Sequence, residues 1–87
     1  MAKQYITKYE FGTLYYKDQG KSILHRTDGP AIEYPDGNKQ WVVNGKLHRL
    51  DGPATVYPSG FGLWYVNGVF IFETDRSDKI QARMEGE

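Results

Sequence analysis

The sequence contains no cysteine in its 87 residues, which excludes a disulfide framework and a thiolate metal site. It also contains no apolar stretch near the roughly 20 residues that a membrane-spanning helix requires. Its first five residues, MAKQY, lack the apolar run of a signal peptide. We therefore expect a cytoplasmic protein without membrane contact. A chain of this length supports one core, so a single domain is expected to cover residues 1–87.

A net positive charge is absent as well, because 11 Lys and Arg residues balance 11 Asp and Glu residues. This balance argues against nucleic-acid binding driven by bulk charge. The distribution is uneven, however. Residues 1–49 carry eight basic and five acidic side chains, a net +3, whereas residues 50–87 carry three and six, a net −3. A neutral molecule of this kind can still present a local basic surface in its first half.

Signatures of catalysis are also missing. Ser22, Ser59 and Ser77 lack the setting of a nucleophile elbow, and His25 and His48 stand in matching positions instead of sharing one site. Two histidines are too few to indicate a metal site, and the glycines form no phosphate-binding loop. We therefore expect no enzymatic activity, no cofactor, no metal and no small-molecule substrate.

The strongest feature of the sequence is an internal repeat. LHRTDGPAIEYPDGNKQWVVNG, which begins at Leu24, recurs as LHRLDGPATVYPSGFGLWYVNG from Leu47, always at an offset of 23 residues. We divide the chain into a degenerate repeat at 11–23, repeat one at 24–46, repeat two at 47–72 and a polar tail at 73–87. In the degenerate repeat we align Tyr16 with Trp41, because each precedes a Gly-Lys pair by four residues.

Turn residues give each repeat its predicted shape. Asn44-Gly45 and Asn67-Gly68 separate β-rich runs, and both central residues of a type I′ hairpin turn need positive φ. Pro35-Asp36-Gly37 and Pro58-Ser59-Gly60 predict turns at the opposite ends. The segments between them are too short for helices. The sequence therefore predicts an all-β fold, an antiparallel β-meander or hairpin repeat of about eight or nine short strands.

Two further structural predictions concern the aromatic residues and the tail. Trp41, Trp64, Tyr34 and Tyr57 recur at the repeat offset, so we expect them to stack as a core between successive hairpins. Within residues 73–87, Ser77 is a candidate N-cap for a short C-terminal helix, although seven or eight residues are marginal for a helix without packing. We therefore expect a docked helix or a tail there.

The repeated segment His-Arg-x-Asp-Gly-Pro allows two interpretations. His25 with Arg26, and His48 with Arg49, can form cation pairs that recognise a phosphate or carboxylate. Alternatively, the aspartate of each copy caps its own turn and accepts a hydrogen bond from the arginine. Duplication favours the second interpretation, because a residue that builds a corner must recur in every copy. Neighbouring repeats can also form a row of similar pockets, which keeps the binding interpretation open.

Lysines interleaved with aromatic residues in the first half suggest a second kind of contact. Proteins that bind single-stranded nucleic acid typically use lysines to contact the phosphates and aromatic rings to stack on the bases. The alternative interpretation is that these are ordinary solvated lysines on the surface of a sheet. The candidate binding lysines are Lys17, Lys21, Lys39 and Lys46. The run at residues 69–72 is apolar on both faces of a strand, so at least one face needs covering. We expect the C-terminal helix to cover one such surface and a second protomer to cover the other, which predicts a homodimer.

The repeated unit resembles short repeat proteins encoded by tailed bacteriophages. It is also similar in outline to the MORN-type repeat, whose aromatic-x-x-Asn-Gly-Lys element reads Trp41 to Lys46 here, while Val69 replaces the lysine in the second copy. The resemblance covers residues 11–72. It implies a scaffold of hairpins, and the phage proteins imply an inhibitor of a host enzyme or host defence system, such as a toxin–antitoxin ribonuclease.

From the residues and this resemblance together, we expect a non-enzymatic binding protein of phage type that inhibits a host factor in the host cytoplasm. RNA contact is the leading mechanism, because some such inhibitors act through RNA. The alternative is a protein–protein interaction or structural repeat module, and the partner is accordingly a host protein, an RNA or both.

Overall fold

The fold consists of β-strands that follow one another in short hairpins. A computed structural model describes residues 4–74. Within this range the strands are β1 (Tyr5–Tyr9), β2 (Gly12–Tyr16), β3 (Ile32–Glu33), β4 (Lys39–Gln40), β5 (Val42–Val43), β6 (Lys46–Leu47), β7 (Thr55–Val56), β8 (Gly62–Val66) and β9 (Val69–Thr74). The predicted all-β class and number of strands are confirmed. The helix or tail predicted from Ser77 lies outside the described residues, and Glu73 and Thr74, predicted to begin the tail, instead end β9.

All strand pairs are antiparallel, and they form two sheets. The larger sheet has seven strands in the order β1-β2-β3-β4-β7-β8-β9, and the smaller consists of β5 and β6. The chain leaves the larger sheet after β4, makes the β5–β6 hairpin, and returns beside β4 as β7. Residues 49–53, between β6 and β7, form a tight bend that we call a corner, and residues 26–30 form the matching corner of repeat one. Nowhere in residues 4–74 is there a helix long and apolar enough to cross a membrane.

The Asn-Gly hairpin turns are present as predicted. Asn44 (φ 53°) and Gly45 (φ 79°) join β5 to β6, while Asn67 (φ 52°) and Gly68 (φ 82°) join β8 to β9. Positive φ at both central residues matches the twist of the flanking strands, which is why asparagine and glycine occupy these positions.

The core is small and built from small or branched side chains. Ala31, Ile32, Val42 and Ala54 are its buried members. Four partly buried residues pack against the cluster of Ala31, Ile32 and Val42, namely Leu14, Tyr15, Leu24 and Leu47.

The prediction that the recurrent aromatic residues form this core is wrong. Tyr34 and Tyr57 are 36% and 37% exposed, and both tryptophans are half-buried. The reason is geometric, because the tyrosines stand at the hairpin tips of the larger sheet, where no second layer from residues 4–74 covers them.

The degenerate repeat contains a further difference. Tyr15, and not Tyr16, takes the place of Trp41, because its carbonyl accepts the His25 N–H at 3.0 Å as the Trp41 carbonyl accepts the His48 N–H at 3.0 Å. The connection after Tyr16 is longer than the two-residue Asn-Gly turn, which shifts the alignment by one residue.

This longer connection is held together by one carboxylate. Asp18 accepts hydrogen bonds from the Ser22 hydroxyl at 2.6 Å and from the Ile23 N–H at 2.9 Å. The Ser22 hydroxyl is the main cause, and the Ile23 N–H the next, of a pKa lowered below the usual range for the Asp18 carboxyl.

Candidate binding cleft between the repeated corners

Each corner is organised around its arginine. In the first corner, Arg26 Nε donates to Asp28 Oδ1 at 2.8 Å and Arg26 Nη1 donates to the Pro30 carbonyl at 3.1 Å. The second corner, residues 49–53, repeats both bonds at 3.0 and 3.1 Å. The hydrogen bond that sequence analysis expected from arginine to aspartate is therefore present in both copies, and the added bond to the proline carbonyl closes the corner.

Each guanidinium group is also held between an aromatic ring and a glycine. The Arg26 Cζ lies 4.0 Å from the centre of the Tyr15 ring, and the Arg49 Cζ lies 3.8 Å from that of Trp41. On the opposite side stands the glycine of the motif. A Cβ added at Gly52 would lie 2.6 Å from the Arg49 Cζ, closer than any real contact. The Asp-Gly pair therefore places a carboxylate beside the guanidinium and leaves space for it.

The histidines have a structural contact that the sequence pattern did not suggest. His25 Nδ1 accepts the backbone N–H of Asn44 at 2.9 Å, and His48 Nδ1 accepts that of Asn67 at 3.0 Å. Each partner is 19 residues away in sequence. An accepting Nδ1 carries no proton, so each histidine uses this nitrogen to hold the Asn-Gly hairpin turn of its own repeat.

The array ends where this arrangement changes. In place of a third arginine, Phe72 stacks on Trp64 with ring centres 5.1 Å apart and planes inclined by 16°. The spacing from Trp64 to Phe72 equals that from Trp41 to Arg49. The Phe72 ring thus covers Trp64, where an arginine covers Tyr15 and Trp41, and the chain continues as β9 instead of forming a third corner.

A cleft of about 660 Å³ lies between the two corners. Its lining consists of residues 26–29, residues 48–51, Trp41 and Val43; we call it the corner cleft. Leu50 is 73% exposed there, and Thr27 occupies the same position in the first corner. A surface leucine with most of its area in water is available for an apolar contact.

The carboxylates are the exposed partners of the ion pairs in this cleft. The side chains of Arg26 and Asp28 are 19% and 71% exposed, and those of Arg49 and Asp51 are 24% and 88% exposed. The hydrogen bond from Arg26 is the main cause of a pKa lowered below the usual range for the Asp28 carboxyl. In both ion pairs the carboxylate is therefore more accessible to a ligand than the guanidinium group.

The structure brings three of the candidate binding residues, Arg26, His48 and Arg49, to the corner cleft; His25 and the four lysines are not part of its lining. Lys17 Nζ donates to the Asn44 side chain at 2.6 Å, and Lys21 Nζ donates to the Ile6 carbonyl at 3.4 Å. Lys39 on β4 and Lys46 on β6 are exposed. The lysines therefore do not extend the corner cleft into a basic surface.

Among residues 4–74, no three His, Asp or Glu side chains are close enough together to hold a metal ion. Arginine, aspartate and an exposed leucine around an open cleft provide for recognition by charge and apolar contact. Searches against protein-family models, curated proteins and solved structures found no match to this chain.

Proposed function

We propose that this protein is a non-enzymatic protein-binding module and that its ligand enters the corner cleft. The observation that carries the proposal is the exposure of the two ion pairs. In each pair the carboxylate, Asp28 or Asp51, is largely exposed to solvent, while the arginine side chain is mostly buried and supports the fold. The cleft combines these carboxylates with the exposed Leu50. A partner protein that presents a basic side chain beside an apolar one complements both features.

RNA contact, the leading mechanism expected from the sequence, is less well supported at this cleft. Phosphate binding needs cations that face the ligand, whereas Arg26 and Arg49 each make hydrogen bonds to an aspartate and a proline carbonyl within their own corner. Exposed carboxylates at the entrance would repel a phosphate backbone. The protein-binding alternative is therefore the one that the geometry favours.

The resemblance to phage-encoded repeat proteins narrows the proposed partner further. It supports a host factor as the ligand, and inhibition of that factor or of a host defence system, such as a toxin–antitoxin ribonuclease, as the consequence of binding. An enzyme of this kind that binds nucleic acid carries basic surfaces, which complement an acidic cleft entrance.

We also propose that the protein forms a homodimer through β9. This strand is the last of the seven-stranded sheet, so one of its edges has no strand beside it among the described residues. Val69, Phe70, Ile71 and Phe72 are 42–62% exposed. Antiparallel pairing of β9 with its copy would satisfy the open backbone edge and cover these side chains.

The binding proposal is tested by capture of partners from bacterial lysate, with and without ribonuclease. The test variant is Leu50→Thr combined with Asp51→Asn, since threonine already occupies this position in the first corner. We expect the wild-type protein to retain a protein partner after ribonuclease treatment and the variant to lose it. Ile23→Thr, which changes an exposed apolar residue outside both the corner cleft and β9, is the matched control and should retain the partner.

Loss of all capture after ribonuclease, together with dependence on Lys39 and Lys46, would instead establish RNA as the ligand. The dimer is tested separately by sedimentation. A mass of twice 10.0 kDa is expected for the wild-type protein, and the monomer mass for Ile71→Lys. A wild-type protein that sediments as a monomer at micromolar concentration would contradict the dimer without affecting the cleft.

A further inference from the structure

The hairpin tips at the end of the larger sheet carry a row of aromatic side chains outside the corner cleft. The pairing registers align Tyr9 with Gly12, Thr13 with Glu33, and Glu33 with Lys39. Extending them by one residue places Tyr9, Gly12, Tyr34, Asn38, Tyr57 and Phe61 in one row across the strands. The tyrosines therefore stand on alternate strands and on the same face of the sheet.

Four of the aromatic side chains at these tips are exposed, and Phe61 is half-buried. Tyr9 is 47% exposed and stacks on Phe11, which is 61% exposed, with ring centres 4.8 Å apart. At the other end Tyr57 packs against Phe61 at 5.8 Å. Tyr34 lies between them and covers Gly12, where an added Cβ would come within 3.1 Å of its ring. We call these five aromatic residues the tip ridge.

The spacing of the tip ridge matches one extended conformation of a peptide. Neighbouring strands are about 4.8 Å apart, so tyrosines on alternate strands recur at about 9.6 Å. A polyproline II helix has three residues per turn and a rise of about 3.1 Å, so that every third residue recurs on the same side at about 9.3 Å. Proline-rich segments in this conformation dock on aromatic surfaces, because their ordering costs little entropy.

The charge at the tips selects among such peptides. The turns that join the paired strands, residues 10–11, 35–38 and 58–61, contain the carboxylates Glu10 and Asp36 and no lysine or arginine. Both carboxylates are exposed. A ligand with basic residues between its prolines complements this charge, whereas a phosphate backbone would be repelled.

From this row, its spacing and its charge, we propose that the tip ridge binds a proline-rich peptide segment that carries lysine or arginine and adopts the polyproline II conformation. The ridge shares no residue with the corner cleft, so the inference does not rest on the proposed function. Each surface can be removed without changing the other.

The test uses four synthetic probes: a (Pro-Pro-Lys)₄ peptide, a (Gly-Ser-Lys)₄ peptide of equal charge, a (Pro-Pro-Glu)₄ peptide of opposite charge, and a uridine dodecamer. Binding is followed by backbone amide chemical shifts in ¹H–¹⁵N NMR spectra. We expect (Pro-Pro-Lys)₄ to bind at least about tenfold more tightly than any of the other three probes. The shifts should concentrate at the hairpin tips.

Two variants locate the site. Tyr57→Ser should weaken binding of (Pro-Pro-Lys)₄ by about tenfold or more, and Asp36→Asn should reduce the preference over (Pro-Pro-Glu)₄ while its side-chain oxygen still accepts the turn N–H. Ile23→Ser, which changes a 39% exposed apolar residue in the connection between β2 and β3, is the control and should bind as the wild-type protein does. Thermal unfolding by circular dichroism checks that each variant is folded, and Asp36→Asn supplies the test if Tyr57→Ser is not.

The proposal is overturned if (Pro-Pro-Lys)₄ does not bind at millimolar concentration, or if (Gly-Ser-Lys)₄ binds equally well. Preferential binding of the uridine dodecamer at the tips would replace the peptide by a nucleic acid. Shifts at β9 or at the corner cleft, with the tips unaffected, would also overturn it.

Discussion

Replacement of Arg49 by alanine tests whether the repeated arginines build the corners or serve a ligand. Arg49 donates to Asp51 and to the Pro53 carbonyl, and it covers the Trp41 ring. If these contacts are structural, Arg49→Ala should lower the free energy of unfolding by about 3 kcal/mol. In a domain of this size that loss lowers the melting temperature by about 12–24 °C.

The magnitude comes mainly from two of the three contacts. A hydrogen bond from a charged donor to a carbonyl contributes about 1.5–3 kcal/mol, and the Pro53 carbonyl would lose this partner. The cation–π contact with Trp41 adds about 0.5–1 kcal/mol at a partly exposed site. The pair with Asp51 contributes little, at most about 1 kcal/mol, because the Asp51 side chain is 88% exposed.

Two further variants separate these contacts. Asp51→Asn removes only the exposed ion pair and should cost less than about 1 kcal/mol. Arg49→Lys keeps the charge but loses the planar fork that bonds to two acceptors at once, so its cost should lie between the other two. Urea unfolding followed by circular dichroism measures all three. The structural account fails if Arg49→Ala costs less than about 0.5 kcal/mol, and a simultaneous loss of partner capture would then assign Arg49 to the ligand.

Three other perturbations follow from single contacts. Gly52→Ala should destabilise the fold by up to about 3 kcal/mol, the cost expected for Arg49→Ala, because the new Cβ would lie 2.6 Å from the guanidinium carbon and would displace that group from its bonds. Gly20→Ala meets only a side-chain oxygen at 3.3 Å and is the matched control in the same urea titration. Folding lowers the pKa values of Asp18 and Asp28 from 3.8. Their contribution to the free energy of unfolding is therefore complete above about pH 4 and is lost as the pH falls through the folded pKa values. The urea midpoint should decrease below about pH 4, and it should decrease less in the Asp18→Asn, Asp28→Asn double variant. Trp64→Ala should lower the free energy of unfolding by about 3–5 kcal/mol. Trp64→Phe should cost less, because phenylalanine keeps an aromatic ring and the buried indole N–H that it removes has no acceptor among the described residues. Equal costs of the two variants in thermal unfolding would contradict this.

The hairpins could be predicted from the sequence because their causes are local. A type I′ turn requires positive φ at both central residues, which Asn-Gly adopts readily, and the structure has it at Asn44 and Asn67. The bond from arginine to aspartate is equally local, since the two residues are two positions apart. These features depend on neighbours in the chain, and the repeat then places them at regular intervals.

Contacts between residues far apart in the sequence could not be predicted in this way. The bond from Asn44 to His25 joins residues 19 positions apart, and no short pattern indicates it. The core prediction failed for a related reason: a repeat offset shows that Tyr34 and Tyr57 are equivalent, but not whether their shared environment is buried. The alignment of Tyr9 with Tyr34 likewise depends on the register of three strands. The sequence nevertheless carried one signal of the close approach between glycine and arginine, because a glycine follows each corner arginine by three residues in both copies.

Comparison of the two copies separates the residues that build the repeat from those that are free to bind. A residue that the corner geometry requires recurs in both copies, as the arginine, aspartate and glycine of each corner do. Thr27 and Leu50 occupy the same corner position but differ, and so do Asn38 and Phe61 at the hairpin tips. In both pairs the second copy carries the larger apolar residue, Leu50 in the corner cleft and Phe61 in the tip ridge. Since neither substitution is needed to make the repeat, the difference at these two positions agrees with the two binding surfaces proposed above.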